Sequence, residues 1–172
     1  MAVVARPAVL KGAFLDTSVL LAGLIDLGAP AAGAQRLFDA VAAGRLGRPR
    51  TAWHCCLEFH AVATRLPQEF RLKPSDATTL LEAEVLARFD VADLPAGRRL
   101  AFLAASGRES IAGGRIYDTH IAAVARASGA RAVVTDNARD FTRLEAVGVL
   151  VLDAAAAVRL LGLGRGGPRR PS

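Results

Sequence analysis

Residues 115–141, RIYDTHIAAVARASGARAVVTDNARDF, join a helix to a buried strand and decide the fold class. Apolar residues in the first half recur at helical spacing, which predicts a helix as far as about Ser128. These residues are Ile121, Ala122, Val124 and Ala125. Gly129 predicts a turn, and the apolar run 131–135 predicts a short buried strand after it.

The same alternation of short apolar runs and longer helical patterns continues on both sides. Further strands are predicted just before Asp16, within 88–95 and within 147–154. Helices are predicted after Asp16 and over 30–44, 51–66, 74–89, 96–106 and 154–163. Thr17 or Ser18 is expected to cap the first of them. Strands that recur among helices are typical of an α/β domain with a central, mostly parallel sheet. We therefore expect one domain over 1–162 and a disordered basic tail over 163–172.

Length and composition indicate a globular protein rather than a disordered or membrane-spanning one. The chain has 172 residues, of which 52% are hydrophobic and 22% are charged, and this length suits one domain with a sizeable core. No uncharged apolar run approaches the roughly 20 residues needed to cross a bilayer. The first twelve residues lack the features of a secretory signal. Cys55 and Cys56 are adjacent, a poor arrangement for a structural disulfide, so a cytoplasmic location is expected.

The net charge of +6 has two interpretations that the sequence leaves open. Only Lys11 and Lys73 are lysines among the 22 basic residues, and the guanidinium groups of arginine match phosphate oxygens well. A polyanionic partner such as a nucleic acid would suit this charge. An arginine-biased but merely solvated surface would give the same composition.

Acidic residues follow two of the predicted strands. Asp16 ends the first strand, and the cluster 136–140 follows the strand at 131–135. Ligand sites in open parallel sheets form beyond the carboxyl ends of strands. Asp118 lies in the first turn of its predicted helix and Glu58 within another helix. Each acid alone also has a structural explanation, as a turn former, a partner of the helix dipole or a solvated side chain.

Carboxylates that meet at one place repel one another unless a cation neutralises them. Oxygen ligands of this type suit Mg²⁺ or Mn²⁺. Such an ion can activate water and stabilise the charge on a scissile phosphate, which is the chemistry of metal-assisted phosphodiester hydrolysis. These acids can form a hydrolytic site only if the fold brings them together, which their spacing in the sequence does not prove.

Four sequence motifs resemble one known family. They are FLDTSVLL near the start, a mid-chain LEF, GGRIYDTHIAAVARASGA, and AVVTDNARDF. In this order they are similar to the PIN-domain ribonucleases, and most of all to the VapC toxins of toxin–antitoxin pairs. The resemblance spans roughly residues 12–152.

The resemblance implies a three-layer α/β/α domain and an endoribonuclease that depends on Mg²⁺ or Mn²⁺ and cleaves RNA. It identifies Asp16, Glu58 and Asp118 as the first, second and third acids of the site, with Asp16 and Asp118 as metal ligands. It also implies a homodimer and a cognate antitoxin protein that inhibits the enzyme.

The fourth acidic position departs from the family pattern. Many relatives carry an aspartate two residues after the strand-end threonine, whereas Asn137 stands there, after Thr135. Asp140 is therefore the better candidate and Asp136 the weaker one, with Thr135 and Asn137 orienting water or metal. A single ion is favoured over two. Arg115 is a candidate for contacting substrate phosphate, or it is merely solvated.

Several other classes fit less well. A zinc half-site in HCCLEFH would need a second pair of ligands, and His120 is the only further histidine. Phosphoryl-transfer domains with a nucleophilic strand-end aspartate need a second acid where Ser18 stands, and dinucleotide-binding folds need a glycine-rich turn after the first strand. The remaining alternative is a catalytically inactive module of the same fold that binds RNA or a partner. The acids at the four positions argue against it, as does the lack of interleaved aromatic residues for base stacking.

Overall fold

The computed structural model describes residues 7–163, and a five-stranded parallel sheet runs through its centre. The strands are β1 (Phe14–Leu15), β2 (Arg50–Ala52), β3 (Asp90–Ala92), β4 (Ala132–Val134) and β5 (Leu150–Leu152). Their order across the sheet is β3-β2-β1-β4-β5, and every neighbouring pair is parallel. In register, Phe14 of β1 lies opposite both Arg50 and Val133.

Helices cover the sheet and complete a three-layer α/β/α domain, as expected. In the described part of the chain they are α1 (Thr17–Leu24), α2 (Ala32–Ala42), α3 (Trp53–Ala63), α4 (Pro74–Leu80), α5 (Ala96–Arg108), α6 (Arg115–Ala127), α7 (Thr142–Glu145) and α8 (Ala154–Leu160). Helix α1 packs against α2 and α3, α2 packs against α8, and α6 contacts α3 and β2. Single 3₁₀ turns lie at Pro7–Leu10, Ala29–Ala31 and Ala138–Phe141.

The strand order reverses direction at β1. From β1 the chain proceeds outward to β2 and β3, and then returns to β4 on the opposite side of β1. A crevice forms at such a switch point because the connections leave in opposite directions. The carboxyl ends of β1 and β4, which precede Asp16 and Thr135, therefore lie side by side.

Burial in the core explains how strands of only two or three residues form a stable sheet. Strands β1 and β4 are fully buried along their whole length, as expected for parallel strands covered by helices on both faces. Four phenylalanines with negligible exposure fill the core beside aliphatic residues: Phe14, Phe59, Phe89 and Phe141. Complete burial of each such side chain contributes about 1.5–3 kcal/mol.

Helix ends match the glycine signals in the sequence. Gly44 follows α2 with φ of +71°, a backbone conformation that glycine adopts without steric strain. The amide of Arg45 donates to the carbonyl of Ala40 at 2.9 Å, which closes the helix end. Gly129 ends α6 in the same way, with φ of +75°.

One expectation about local structure was wrong. The segment 51–66 was expected to be entirely helical, but its start belongs to β2, and α3 begins only at Trp53. The buried hydroxyl of Thr51 donates to the carbonyl of Leu15 at 2.8 Å, which ties β2 to β1. A three-residue strand is too short to show a period of its own. The segment 74–89 is helical as expected as far as Leu86, and its second half is a π-helical turn over Leu81–Leu86.

The expected cap of α1 is also corrected. Asp16 occupies the N-cap position, and its side chain makes no capping hydrogen bond. The hydroxyls of Thr17 and Ser18 donate to carboxylates instead. Both hydroxyls that could have capped the helix therefore bind acids at the carboxyl ends of the strands, which form the acidic edge of the sheet.

Other expectations concern the cysteines and the chain ends. Cys55 and Cys56 are free, buried residues of α3, and burial raises their thiol pKa values to about 12 and about 11. The predicted tail over 163–172 lies outside the described residues except for Leu163, so the domain boundary remains a prediction.

Within 7–163 no single helix is long and apolar enough to cross a bilayer. Together, α1 and the segment 29–42 have the length and apolar composition of a membrane span, but they are bent by 119° relative to each other. Core helices of globular proteins can have the same length and composition.

Candidate active site

Asp16 is the most buried acid in the described part of the chain. It follows β1 directly, and its residue exposure is 7%. Its Oδ2 atom accepts hydrogen bonds from Ser18 Oγ at 3.1 Å and from Thr135 Oγ1 at 2.9 Å. Burial raises the pKa of the Asp16 carboxyl above its ordinary value, and the nearby charge of Glu58 adds to the rise. The hydrogen bonds from Thr135, the Thr17 amide and Ser18 oppose it.

Thr135 joins the two strand ends. Its hydroxyl is fully buried, donates to Asp16, and accepts from the amide of Asn137 at 3.0 Å. The amide of Asp136 donates to Ser18 Oγ at 3.1 Å. The loops that follow β1 and β4 are thus held together by side-chain hydroxyls, and the Asp16 carboxylate is held between them.

Glu58 reaches the same edge from α3. Its Oε2 atom accepts a hydrogen bond of 2.5 Å from Thr17 Oγ1, a short distance typical of a bond to a charged acceptor. Because Thr17 follows Asp16, this bond fixes Glu58 beside the buried aspartate. The charge of Glu58 raises the pKa of both Asp16 and Asp118.

Asp118 lies in the first turn of α6 and is half-buried. Its pKa is raised, first by burial and then by the negative charges of Asp140, Glu58 and Asp16. His54 on α3 acts in the opposite direction. Helix α6 packs against the 3₁₀ turn that carries Asp140 and against α3, which carries Glu58, so these elements bring their acids together. The four residues singled out in the sequence are therefore brought to one edge of the sheet.

The two candidates for the fourth acid differ in their surroundings. Asp140 lies in the 3₁₀ turn anchored by the buried Phe141, and its carboxylate accepts a hydrogen bond from the side-chain amide of Asn137. The pKa of Asp136 is raised by burial and by the charge of Asp153. The charge of Asp140 thus acts on Asp118, whereas the charge that acts on Asp136 is that of Asp153.

No basic side chain neutralises these four acids within residues 7–163. The ion pairs found there join other residues: Arg48–Asp90, Arg88–Glu84, Arg99–Asp93, His120–Asp93 and Arg143–Glu109. A partly buried group of carboxylates without a basic partner raises the free energy of the folded chain. A divalent cation would remove this repulsion.

The donor set suits Mg²⁺ or Mn²⁺ in chemistry but does not form a closed cage. All the candidate ligands are carboxylate oxygens, which hard divalent cations prefer. Across the described residues, no three His, Cys, Asp or Glu side chains stand close enough to bind one ion together. Mg²⁺ usually keeps several waters and takes only one or two protein carboxylates. Direct ligation by Asp16 and Asp118, with the other acids contacting bound water, fits both observations.

The sequence did not single out two hydroxyls and one imidazole that belong to this edge. By sequence, Thr17 and Ser18 fit helix caps, and His54 falls in a motif that lacks the second pair of ligands of a zinc site. The signal for the hydroxyls is the triplet DTS, in which two hydroxyl residues directly follow a strand-end aspartate. Arg115 lies exposed at the first residue of α6, three residues before Asp118.

The fold and the site together define a class of protein: a three-layer α/β/α domain with an acidic edge at its topological switch point. Within that class, the model of the PIN domain family matches residues 13–147, and the chain belongs to this family. PIN domains are generally nucleases that act on RNA and typically use a divalent metal. A search of curated proteins found no match.

Proposed function

We propose that this protein is a metal-dependent endoribonuclease and the toxin component of a type II toxin–antitoxin pair. The observation that carries the nuclease proposal is the convergence of Asp16, Glu58, Asp118 and Asp140 without a basic partner in the described part of the chain. The toxin role is supported by the likeness of the motifs to VapC toxins.

Asp16 and Asp118 are the proposed ligands of one Mg²⁺ or Mn²⁺ ion, with Glu58 and Asp140 completing the acidic shell. When bound, such an ion lowers the pKa of water and offsets charge on a scissile phosphate. Ser18 and Thr135 orient Asp16 by donating to its Oδ2 atom. Thr17 holds Glu58 in place, where its carboxylate can accept a proton from attacking water.

The fourth acid in this proposal is Asp140, because its charge acts on Asp118 and the Asn137 amide fixes its carboxylate. Asp136 is given no role, because its pKa is raised by burial and by the charge of Asp153 and not by the other acids of the site. Asn137 stands where a further aspartate would supply ligands for a second ion. A neutral amide there favours a single ion.

RNA is the proposed substrate, and the positive net charge of +6 supports an attraction to its backbone. Arg115 at the start of α6 is the proposed phosphate contact closest to the site. An antitoxin partner and a homodimer complete the proposal and rest on the likeness to VapC toxins. A cytoplasmic location is also proposed and rests on the adjacent, unpaired Cys55 and Cys56.

Cleavage of total RNA by the purified full chain tests the nuclease proposal. Cleavage is expected with Mg²⁺ or Mn²⁺, should stop with a chelator and should return when the metal is restored. Asp16→Asn should abolish it while RNA binding persists. If RNA binds but is not cleaved with either metal, the chain is instead an inactive RNA-binding module of the same fold.

The toxin role has a separate test. Expression of the chain should arrest growth, Asp16→Asn should relieve the arrest, and co-expression of a small protein encoded beside it should do the same. RNA cleavage in vitro without growth arrest would keep the nuclease and remove the toxin role.

A further inference from the structure

Four aromatic rings from three helices form a continuous series beside the acidic edge. Tyr117 stacks on His54, with ring centroids 5.0 Å apart and planes at 16°. His54 meets His120 edge to face at 5.9 Å, and His120 meets Phe102 edge to face at 5.5 Å. The series runs from Phe102 on α5, packed against the core, to Tyr117 on α6 at the surface.

The inner members of the series are held in place. The Nε2 atom of His120 lies 3.8 Å from Asp93 Oδ1, and Asp93 is paired with Arg99 at 3.0 Å. Each ring is supported by the one behind it, so the position of Tyr117 is fixed by packing as well as by its own backbone. One face of the tyrosine ring is covered by His54, yet 54% of the residue is exposed.

This exposed ring adjoins the acidic residues. Tyr117 directly precedes Asp118 on α6. On α3, His54 and Glu58 are one helical turn apart and therefore share a face. The imidazole of His54 is close enough to Asp118 to influence its carboxyl group. A nucleotide whose phosphate sits at the acids has a preformed aromatic surface within reach of its base.

We propose that Tyr117, supported from behind by His54, is a stacking platform for an unpaired nucleobase next to the phosphodiester bond cleaved at the acidic edge. This inference rests on the proposed function and names the residue that would contact a base beside the cleaved bond. Bases in a duplex are stacked on each other and cannot reach such a ring, whereas unpaired bases can turn outward onto it. Aromatic stacking tolerates different bases because every base has a π-face.

A platform assembled from two helices leaves little trace in the sequence. Aromatic residues make up only 5% of the chain, and no strand in residues 7–163 alternates aromatic with basic residues as a stacking strand would. Tyr117 and His54 are 63 positions apart by their numbers and meet only because α3 packs on α6.

Binding of single-stranded oligoribonucleotides tests the platform independently of cleavage. The full chain carrying Asp16→Asn is used so that the RNA stays intact. An unstructured oligoribonucleotide is compared with versions in which an abasic residue replaces each base in turn. Loss of the stacked base should weaken binding about fivefold or more, the lower end of the usual stacking contribution.

Variants at Tyr117 in the same background show whether that ring causes the difference in affinity between intact and abasic RNA. Tyr117→Leu should bind the intact and abasic RNAs equally, because it keeps apolar bulk but has no ring face. Tyr117→Phe should restore the difference. Trp53→Ala is the matched control, since Trp53 is an exposed aromatic of α3 that lines a separate groove with Leu57 and Leu86. Circular dichroism verifies that each variant is folded.

The outcomes separate this inference from the nuclease proposal. An abasic effect that persists in Tyr117→Leu, or that is absent at every position, overturns the platform even if the wild-type protein cleaves RNA. A Tyr117-dependent abasic effect in a protein that never cleaves RNA supports the platform and removes the nuclease proposal.

Discussion

The hydroxyl of Thr135 donates to Oδ2 of Asp16 at 2.9 Å, and it joins the carboxyl ends of two adjacent strands that are 119 positions apart in the chain. Thr135 is fully buried and Asp16 nearly so. The bond therefore sets the direction of the one deeply buried carboxylate of the site. The hydroxyl of Ser18 also donates to Oδ2, so neither of the two hydroxyls donates to the Oδ1 atom of Asp16.

Thr135→Val should weaken metal binding by about 10–100-fold, as removal of an outer hydrogen-bond partner of a metal ligand commonly does. Valine keeps the volume of threonine but cannot orient Asp16. Titration with Mn²⁺ followed by calorimetry measures the change. Thr135→Ser keeps the hydroxyl and is the matched control. Equal metal affinity in the valine variant and the wild type would contradict a positioning role.

Asp16→Asn should stabilise the metal-free protein by about 0.5–2 kcal/mol, the range typical of stabilising substitutions at strained functional sites. The raised pKa of Asp16 means that the folded state binds its proton more tightly than the unfolded state does. Ionisation above that pKa therefore costs stability. Thermal unfolding at neutral pH with a chelator measures the gain.

The sign of this effect can be checked by pH. The difference in stability between the wild type and Asp16→Asn should shrink as the pH falls toward 3.8, the ordinary value for aspartate. The exposed Asp140→Asn should change stability by less than about 0.5 kcal/mol and is the control. A wild type that is more stable than Asp16→Asn without metal would contradict the role assigned to burial.

RNA cleavage should fall with acid at a pH above the ordinary carboxyl range. Burial raises the pKa of both Asp16 and Asp118, so protons compete with the metal for these carboxylates as the pH drops. Raising the Mg²⁺ concentration should move the acid limb of the rate profile to lower pH. An acid limb that does not respond to Mg²⁺ would mean that the titrating group is not a metal ligand.

The two candidates for the fourth acid should behave differently. Asp140→Asn should reduce cleavage at fixed Mg²⁺ by about tenfold or more, since outer-shell partners contribute on this scale. Asp136→Asn should leave cleavage nearly unchanged, because the charges that act on Asp118 do not include that of Asp136. Initial rates on a single labelled RNA measure both. A larger loss in Asp136→Asn would reverse the assignment.

The sequence was sufficient for the fold class because its longest signals are strongly periodic. The helix and strand within 115–141 appear nearly where expected, as α6 and β4. Strand β2 was missed because Arg50–Ala52 has three residues and leads directly into α3, so its strand character comes from pairing with β1 and β3. Tertiary contacts of this kind override local preference.

The sequence predicted the acids of the candidate site but not the residues that hold them in place. Strand-end position and family motifs singled out Asp16, and helix position alone could not have placed Glu58 beside it. The hydroxyl of Thr17 makes that connection between residues 41 positions apart. The stack of His54 on Tyr117 likewise depends on the packing of α3 against α6. Hydrogen bonds and ring contacts between distant segments have no periodic signature in a sequence.

The two-residue length of β1 has a consequence for the motions of the protein. Phe14 and Leu15 are fully enclosed, and the amide of Asp16 donates to the carbonyl of Val134 at 3.0 Å. This amide can exchange its hydrogen with solvent only when the central strands separate, which amounts to global unfolding. The exposed amide of Asp140 should exchange far sooner through local opening. The β1 side of the acidic edge is thus expected to open only with the sheet itself, while the turn that carries Asp140 opens independently of it.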